Sequence, residues 1–368
     1  MLPLLSLLLL LAACDQAPST PAVLPPAITP SVTPTPAGIA QFPVTMVTNP
    51  RTSASDFQAG VSLLLYGNDV SYQVESLPLL NHLASDNVNS LSIVIPLFQS
   101  SHSANDIHTD PVQTPSDDEL TWIVAQAHRR GFSILLRPVL DEASVGPLPH
   151  WRGDIQPSDP TIWFANYSAI LLHYANLAQQ DGIEALDIGT ELDTMEAYSA
   201  DWSSLITQIS SVYSNSLTYS ANWNGPRLNA AITRHLTFIS VDAYYPVTSV
   251  PSPSLAQIVA GWQGSGLKDL KSRAQAAGLP VVITEIGAIP TDGVFAKPWS
   301  WSPTGAYDPQ VQQDYYTATC QALKPAVTGI YWWEVGLTQP LAPNGGFNPL
   351  VLPGTEQAMS DCYATPTP

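Results

Sequence analysis

Two glutamates carry the most chemistry in this chain. Glu191 closes the apolar run Ala185-Leu186-Asp187-Ile188-Gly189-Thr190, and Glu285 closes Pro280-Val281-Val282-Ile283-Thr284. A carboxylate at the end of a buried strand is unfavourable unless it is paired or put to use. Two of them across one pocket would supply what cleavage of a glycosidic bond needs, an acid and a nucleophile or base. One must be protonated and the other ionised, so their surroundings must differ.

The elements that position these residues are read from the hydrophobic pattern. Short apolar runs at Gly60–Tyr66, Ser90–Pro96, Ser133–Pro138, Ala185–Thr190, Ser216–Ala221, Phe238–Ala243, Pro280–Thr284 and Thr328–Trp333 alternate with longer helical stretches. The clearest helices are Val74–Ala84, Asp117–Arg130, Trp163–Gln179, Ala200–Val212, Leu255–Ala277 and Gln310–Leu323. Runs that are apolar throughout indicate strands buried on both faces, hence a parallel sheet. Eight of them separated by helices predict an α/β fold, a single (β/α)₈ TIM barrel, with long loops after strands 3, 6 and 7. A doubly wound open sheet is the alternative, weakened because no Gly-rich phosphate loop follows the first strand.

In a barrel the chemistry lies at the C-terminal strand ends. There the chain places Arg137 and Asp141, Glu191, Asn222 and Trp223, Asp242 with Tyr244 and Tyr245, Glu285, and Tyr331-Trp332-Trp333-Glu334. Carboxylates, an arginine and aromatic rings on one rim suit a sugar, whose hydroxyls need polar partners and whose faces stack on rings. Tyr244 shares a strand face with Asp242 and is expected to hold Glu285 through its hydroxyl, with Tyr245 pointing away. Trp333 is expected under the sugar at the cleavage point. Arg137 and Asp141 are expected to bind hydroxyls or hold loops. Trp151 and Arg152, and likewise Asn222 and Trp223, are expected to form distal sugar sites.

Composition narrows the partners. The chain has 368 residues with 12 Lys+Arg against 30 Asp+Glu, a net charge of −18. That surface repels phosphate backbones, which argues against nucleic acid, and does not repel a neutral polysaccharide. His82, His102, His108, His128, His150, His173 and His235 are scattered and read as surface or capping residues. No metal or other cofactor is expected, no calcium-loop pattern is present, and no Gly-x-Ser-x-Gly elbow supports a serine nucleophile. A monomer is expected.

The N-terminal residues 2–13 are apolar but too short for a membrane-spanning helix of about 20 residues. Leu11-Ala12-Ala13-Cys14 matches a bacterial lipobox, so residues 1–14 are read as a lipoprotein signal with lipid on Cys14. An ordinary signal peptide ending in small residues is the alternative, and the lack of Lys or Arg before the apolar run is a departure from the lipoprotein pattern. Residues 15–54 form a Pro/Thr-rich tether, 55–363 the barrel, and 364–368 a disordered tail. The expected location is the extracytoplasmic face of a bacterial membrane. Cys320 and Cys362 would then be the only thiols of the mature domain in an oxidising compartment, either bridged or free.

The ordered motifs Arg137-Pro138-Val139-Leu140-Asp141, Trp151–Asp159, Trp163-Phe164-Ala165-Asn166-Tyr167, Ile188–Leu192, Tyr219–Trp223, Asp242–Pro246, Thr284–Gly287 and Tyr331–Trp333 resemble those of glycoside hydrolase family 113, β-mannanase-like members of the retaining (β/α)₈ clan A. The resemblance runs from about residue 58 to 335. It implies that Glu191 is the acid/base and Glu285 the nucleophile of a double displacement on β-1,4-mannan or glucomannan. Where members often carry Lys-Pro-His, this chain has Arg137-Pro138-Val139, a departure that leaves the exact sugar open. Alternatives are a same-clan β-mannosidase, β-glucanase or galactanase, or a non-catalytic sugar-binding lipoprotein.

Overall fold

A computed structural model describes residues 45–53, 56–67, 72–146, 150–301, 305–337 and 346–366. The lipobox with Cys14 and most of the expected tether lie outside the described residues.

The strands are β1 (Gln58–Leu64), β2 (Ser90–Leu97), β3 (Ser133–Leu140), β4 (Ala185–Thr190), β5 (Ser216–Asn222), β6 (Ile239–Asp242), β7 (Val281–Ile286) and β8 (Gly329–Gly336). Each pairs in parallel with the next, and β8 pairs with β1, closing an eight-stranded barrel. The helices are α1 (Tyr72–Ser85), α2 (Asp117–Arg129), α3 (Pro160–Asp181), α4 (Ser199–Val212), α5 (Ala230–Thr233), α6 (Leu255–Gly264), α7 (Gly266–Ala277), α8 (Pro309–Leu323) and α9 (Pro353–Ala364). The (β/α)₈ barrel expected from the alternating pattern is the fold, and the open sheet is excluded by closure. The continuous apolar runs are buried on both faces: Leu91, Ile93 and Ile95 contact the helices while Ser90 and Ser92 are equally buried.

Helix starts follow local chemistry. Ser116 caps α2 by accepting from the backbone N–H of Glu119, and Asp159 caps α3 ahead of Pro160 at its first position. The helix expected over Leu255–Ala277 is two helices, because Gly264-Ser265-Gly266 interrupts it and the indole of Trp262 occupies the space a side chain on Gly266 would need. The expected tether ends sooner than residue 54. Val47 packs on the core and donates its N–H to Asn81, and Asn49 bonds Arg130 and Val88, so this stretch belongs to the compact unit that begins at Thr45. The tail also starts later, since Ala364 ends α9 and Lys324 donates to the carbonyls of Cys362 and Thr365. A disulfide joins Cys320 on α8 to Cys362 on α9.

Candidate active site

The centre of the barrel below the rim is ionic rather than apolar. Arg137 on β3 points inward with no exposed surface. Its Nε lies 3.1 Å from Asp187 on β4, its Nη2 3.1 Å from Asp242 on β6, and its Nη1 3.0 Å from Oε1 of Glu285 on β7. Ser220 donates to Asp187, and Thr284 donates to Asp242 at 2.8 Å. The sugar-contacting role expected for Arg137 is therefore corrected. An inward position one layer below the rim, surrounded by three carboxylates, makes it an internal counter-ion. One cation does not balance three anions here, so burial pushes Asp187 up to about 6 despite Arg137 beside it.

Glu285 stands on this base. Tyr244, at the end of β6, donates its hydroxyl to Glu285 Oε2 at 3.2 Å, and the Asp242–Glu285 register sets the two strand ends side by side. Tyr245 turns the opposite way, to Asp269 at 2.6 Å and the ring of Trp262. Burial and the charge of Asp242 push Glu285 up to about 8, against the pull of Arg137 and Arg152.

Glu191 is placed by its backbone. Its φ of 53° is in the left-handed region, a conformation that costs about 1–3 kcal/mol for a residue with a side chain. Its N–H donates to Ser220 at 2.8 Å, and the next N–H, of Leu192, donates to the Tyr219 hydroxyl. These bonds pin a sharp departure from β4 and aim the carboxyl into the cleft. Burial, then the charge of Asp242, holds Glu191 well above the usual carboxylate range, opposed by Arg152.

Arg152 differs most from its expected role at a distal sugar site. It lies in a short 3₁₀ turn, Arg152–Asp154, on the loop after β3. The indole of Trp151 lies over Gly153 so closely that a Cβ there would sit 2.3 Å from the ring. That packing turns Arg152 inward. Its Nε donates to the carbonyl of Leu140 at 2.9 Å, its Nη1 to Glu191 Oε2 at 3.0 Å, and its Nη2 lies 3.4 Å from Glu142. Arg152 is thus the counter-ion of Glu191.

Glu191 and Glu285 line one open cleft of about 740 Å³ with Asp141, Trp151, Arg152, Asn222, Trp223, Tyr244 and Trp333. Asp141 caps the 3₁₀ turn Glu142–Val145 and accepts from Tyr66 at 3.0 Å. Asn222 is hydrogen-bonded to Asp193. Trp332 is buried against Tyr316 while Trp333, its neighbour on β8, faces the cleft. Missed from the sequence were Tyr66, Glu142, Trp299, Trp301 and Phe347, which also line it, as does Glu334 from the strand 8 rim where the sequence places it. Trp299 stacks on Trp223 with ring centroids 5.4 Å apart, and Trp301 packs edge-on against Phe347. Both tryptophans sit on the loop after β7, 41% and 59% exposed. The only sequence signal was the Trp299-Ser300-Trp301 spacing within the long loop expected after strand 7, which does not by itself say that the loop turns to the cleft. Away from the cleft, His82 is exposed, as its surface reading expects, and gathers with Asp86 and Glu356 so that their ligand atoms lie within 4.8 Å of one another.

The model of Glycoside Hydrolase Family 113 matches residues 70–340. Among solved structures, the fold is similar to the family 113 β-mannanase AaManA from Alicyclobacillus acidocaldarius in complex with ManMIm, with a TM-score of 0.72, 23% identity, and coverage of 85% of this chain and 99% of that one. A complex of a family 113 β-1,4-mannanase gives a TM-score of 0.73 at 18% identity, covering 84% and 100%. A family 5 mannosidase from Rhizomucor miehei gives 0.53 at 12% identity, covering 84% and 92%. No curated protein matches the chain. The family match spans most of the sequence and every strand from β2 to β8: the chain belongs to glycoside hydrolase family 113 and is a glycoside hydrolase.

Proposed function

We propose that the chain is a retaining hydrolase of β-linked mannan or glucomannan, with Glu285 as nucleophile and Glu191 as acid/base. The observation that carries this reading is one cleft holding two buried carboxylates, each against its own arginine: Glu285 on Arg137 and Glu191 on Arg152. Two anions in one cavity do not both stay ionised, so the pair shares a proton near neutrality. Arg137 is wholly buried and Tyr244 adds a hydrogen bond, so Glu285 keeps the negative charge. Arg152 divides itself between Glu191, Glu142 and a carbonyl, so Glu191 holds the proton.

In the first step a Glu285 oxygen bonds to the anomeric carbon while the glycosidic C–O bond breaks. The leaving oxygen takes the proton of Glu191, giving a glycosyl ester on Glu285. In the second step Glu191, now ionised, takes a proton from water. The water oxygen bonds to the same carbon, and Glu285 leaves as carboxylate. Trp333 offers its face to the sugar undergoing attack, and Trp223, Trp299 and Trp301 offer stacking surface to neighbouring units of the chain. Mannan is chosen because the similar family 113 structures are described as β-mannanases.

Product chromatography after incubation with mannan, glucomannan and cellulose tests this. Release of manno-oligosaccharides with no action on cellulose is expected, and cleavage of cellulose or of neither mannan overturns the substrate assignment. We also propose, from Leu11-Ala12-Ala13-Cys14, that the enzyme is lipid-anchored outside the cytoplasm. Incorporation of a labelled fatty acid, lost in C14A, tests it.

A further inference from the structure

Among the described residues, the carboxylates lining the cleft are Asp141, Glu142, Glu191, Glu285 and Glu334. The first four have partners within the chain. Asp141 accepts from the Tyr66 hydroxyl and from the N–H of Ser144. Glu142 and Glu191 face Arg152, and Glu285 faces Arg137 and Tyr244. Glu334 stands apart. It is 9% exposed, yet its carboxyl makes no hydrogen bond or ion pair with any described residue. Burial alone pushes it up to about 7.

A carboxyl that lines an open cleft and has no partner among the described residues is free to meet a ligand there. The position of Glu334 suits a sugar. It follows Trp333 on β8, and both line the cleft with Leu64 and Tyr66 from the β1 end and Tyr244 from the β6 end.

We propose that Glu334 is a substrate-contacting specificity residue whose carboxyl accepts hydrogen bonds from adjacent hydroxyls of the sugar seated against Trp333. The glycan supplies the partners that the described residues do not. The ligand class is a neutral sugar with a free vicinal diol, because two carboxylate oxygens accept from two neighbouring hydroxyls at once. The inference rests on reading the cleft as a glycan site. It adds the residue that ties binding to the hydroxyl pattern, which the stacking tryptophans by themselves do not discriminate.

E334Q keeps the volume but weakens the acceptor, and E334D keeps the charge but withdraws it by one methylene. For each, kcat and KM are measured on the oligosaccharide that the wild type cleaves, with the thermal midpoint of the free protein. The expected result for E334Q is a fall in kcat/KM of about 10- to 100-fold with a thermal midpoint equal to or above that of the wild type. E334D is expected to lie between. A kcat/KM within about twofold of wild type overturns the proposal, as does a thermal midpoint that falls in step with activity, which marks a structural role. Tryptophan fluorescence titrations of the wild type with mannotetraose and cellotetraose separate this from the substrate reading. A wild type that binds and cleaves only the gluco-configured chain removes the mannan assignment, and the Glu334 test then runs on that chain. A wild type that binds neither overturns both.

Discussion

Arg152 donates from Nη1 to Oε2 of Glu191 at 3.0 Å, placing a cation on the group assigned to give up a proton. This contact tunes the acid rather than disabling it. Burial and Asp242 raise Glu191 so far that, unopposed, it would release its proton too reluctantly to serve as base in the second step. Removing the arginine in R152Q takes away a lowering influence on Glu191 and a smaller one on Glu285. Both limbs of the kcat/KM profile are then expected to move to higher pH, with deglycosylation slowed more than glycosylation. A shift to lower pH would contradict this role.

Loss of either carboxylate has a distinct signature. E191A is expected to lose about 10²- to 10⁴-fold in kcat on substrates with poor leaving groups, and far less on activated aryl glycosides. Azide should restore turnover by replacing water in the second step. E285A is expected to lose activity on both substrate types, with no rescue that gives a retained product.

The Arg137 network predicts a loss of stability. Breaking a buried ion group by removing one partner typically costs about 3–5 kcal/mol, because the remaining charges stay buried and uncompensated. R137M leaves Asp187, Asp242 and Glu285 in that state. Denaturant unfolding should show a loss of that size. Y244F removes a single hydroxyl from Glu285 and is expected to lower kcat about tenfold with little change in the unfolding midpoint.

Stability should fall as pH rises. Burial and the charge of Asp193 push Glu196 up to about 8 from an ordinary 4.5. The folded state therefore keeps a proton that the unfolded chain releases between those values, and unfolding is favoured progressively across that window. Asp193, raised by burial to about 6, acts in the same direction. Thermal midpoints at pH 5 and pH 8 are expected to decrease in that order, and E196Q should flatten the dependence.

The Cys320–Cys362 disulfide spans a separation of 42 residues between α8 and α9. Loop closure of that length corresponds to about 4 kcal/mol in the chain-entropy model, and measured values commonly lie near 2–4 kcal/mol. The double variant C320S/C362S should lower the unfolding free energy within that range while leaving kcat/KM near wild type.

The barrel was legible because a strand buried on both faces leaves a continuous apolar run that a surface strand does not, and all eight runs were of this type. The Glu191–Glu285 meeting followed from their place at strand ends in that fold. Other features depended on loop conformation, which has no period to read. Arg152 reaches Glu191 only because the 3₁₀ turn and the Trp151–Gly153 packing turn it inward. Trp299 and Trp301 reach the cleft from a loop pinned at its base by the Asp292–Ala306 and Asp308–Pro290 backbone bonds, a long-range pairing with no local trace. Helix α9 escaped notice because it follows a Pro- and Gly-rich stretch and shows no clear apolar stripe. Arg137 was read as a rim residue, although its alternation on β3 set it one layer deeper, among the carboxylates.

The central claim is that Glu285 forms a covalent bond to the sugar with Glu191 opposite as proton donor. Incubation with 2-deoxy-2-fluoro-β-mannosyl fluoride, followed by proteolysis and mass spectrometry, tests it most directly, because the fluorine slows the second step and lets the ester accumulate. Label on the peptide containing Glu285, absent in E285Q, is the result expected here. Turnover of unmodified substrate with inversion at the anomeric carbon, or label on any other side chain, would contradict it.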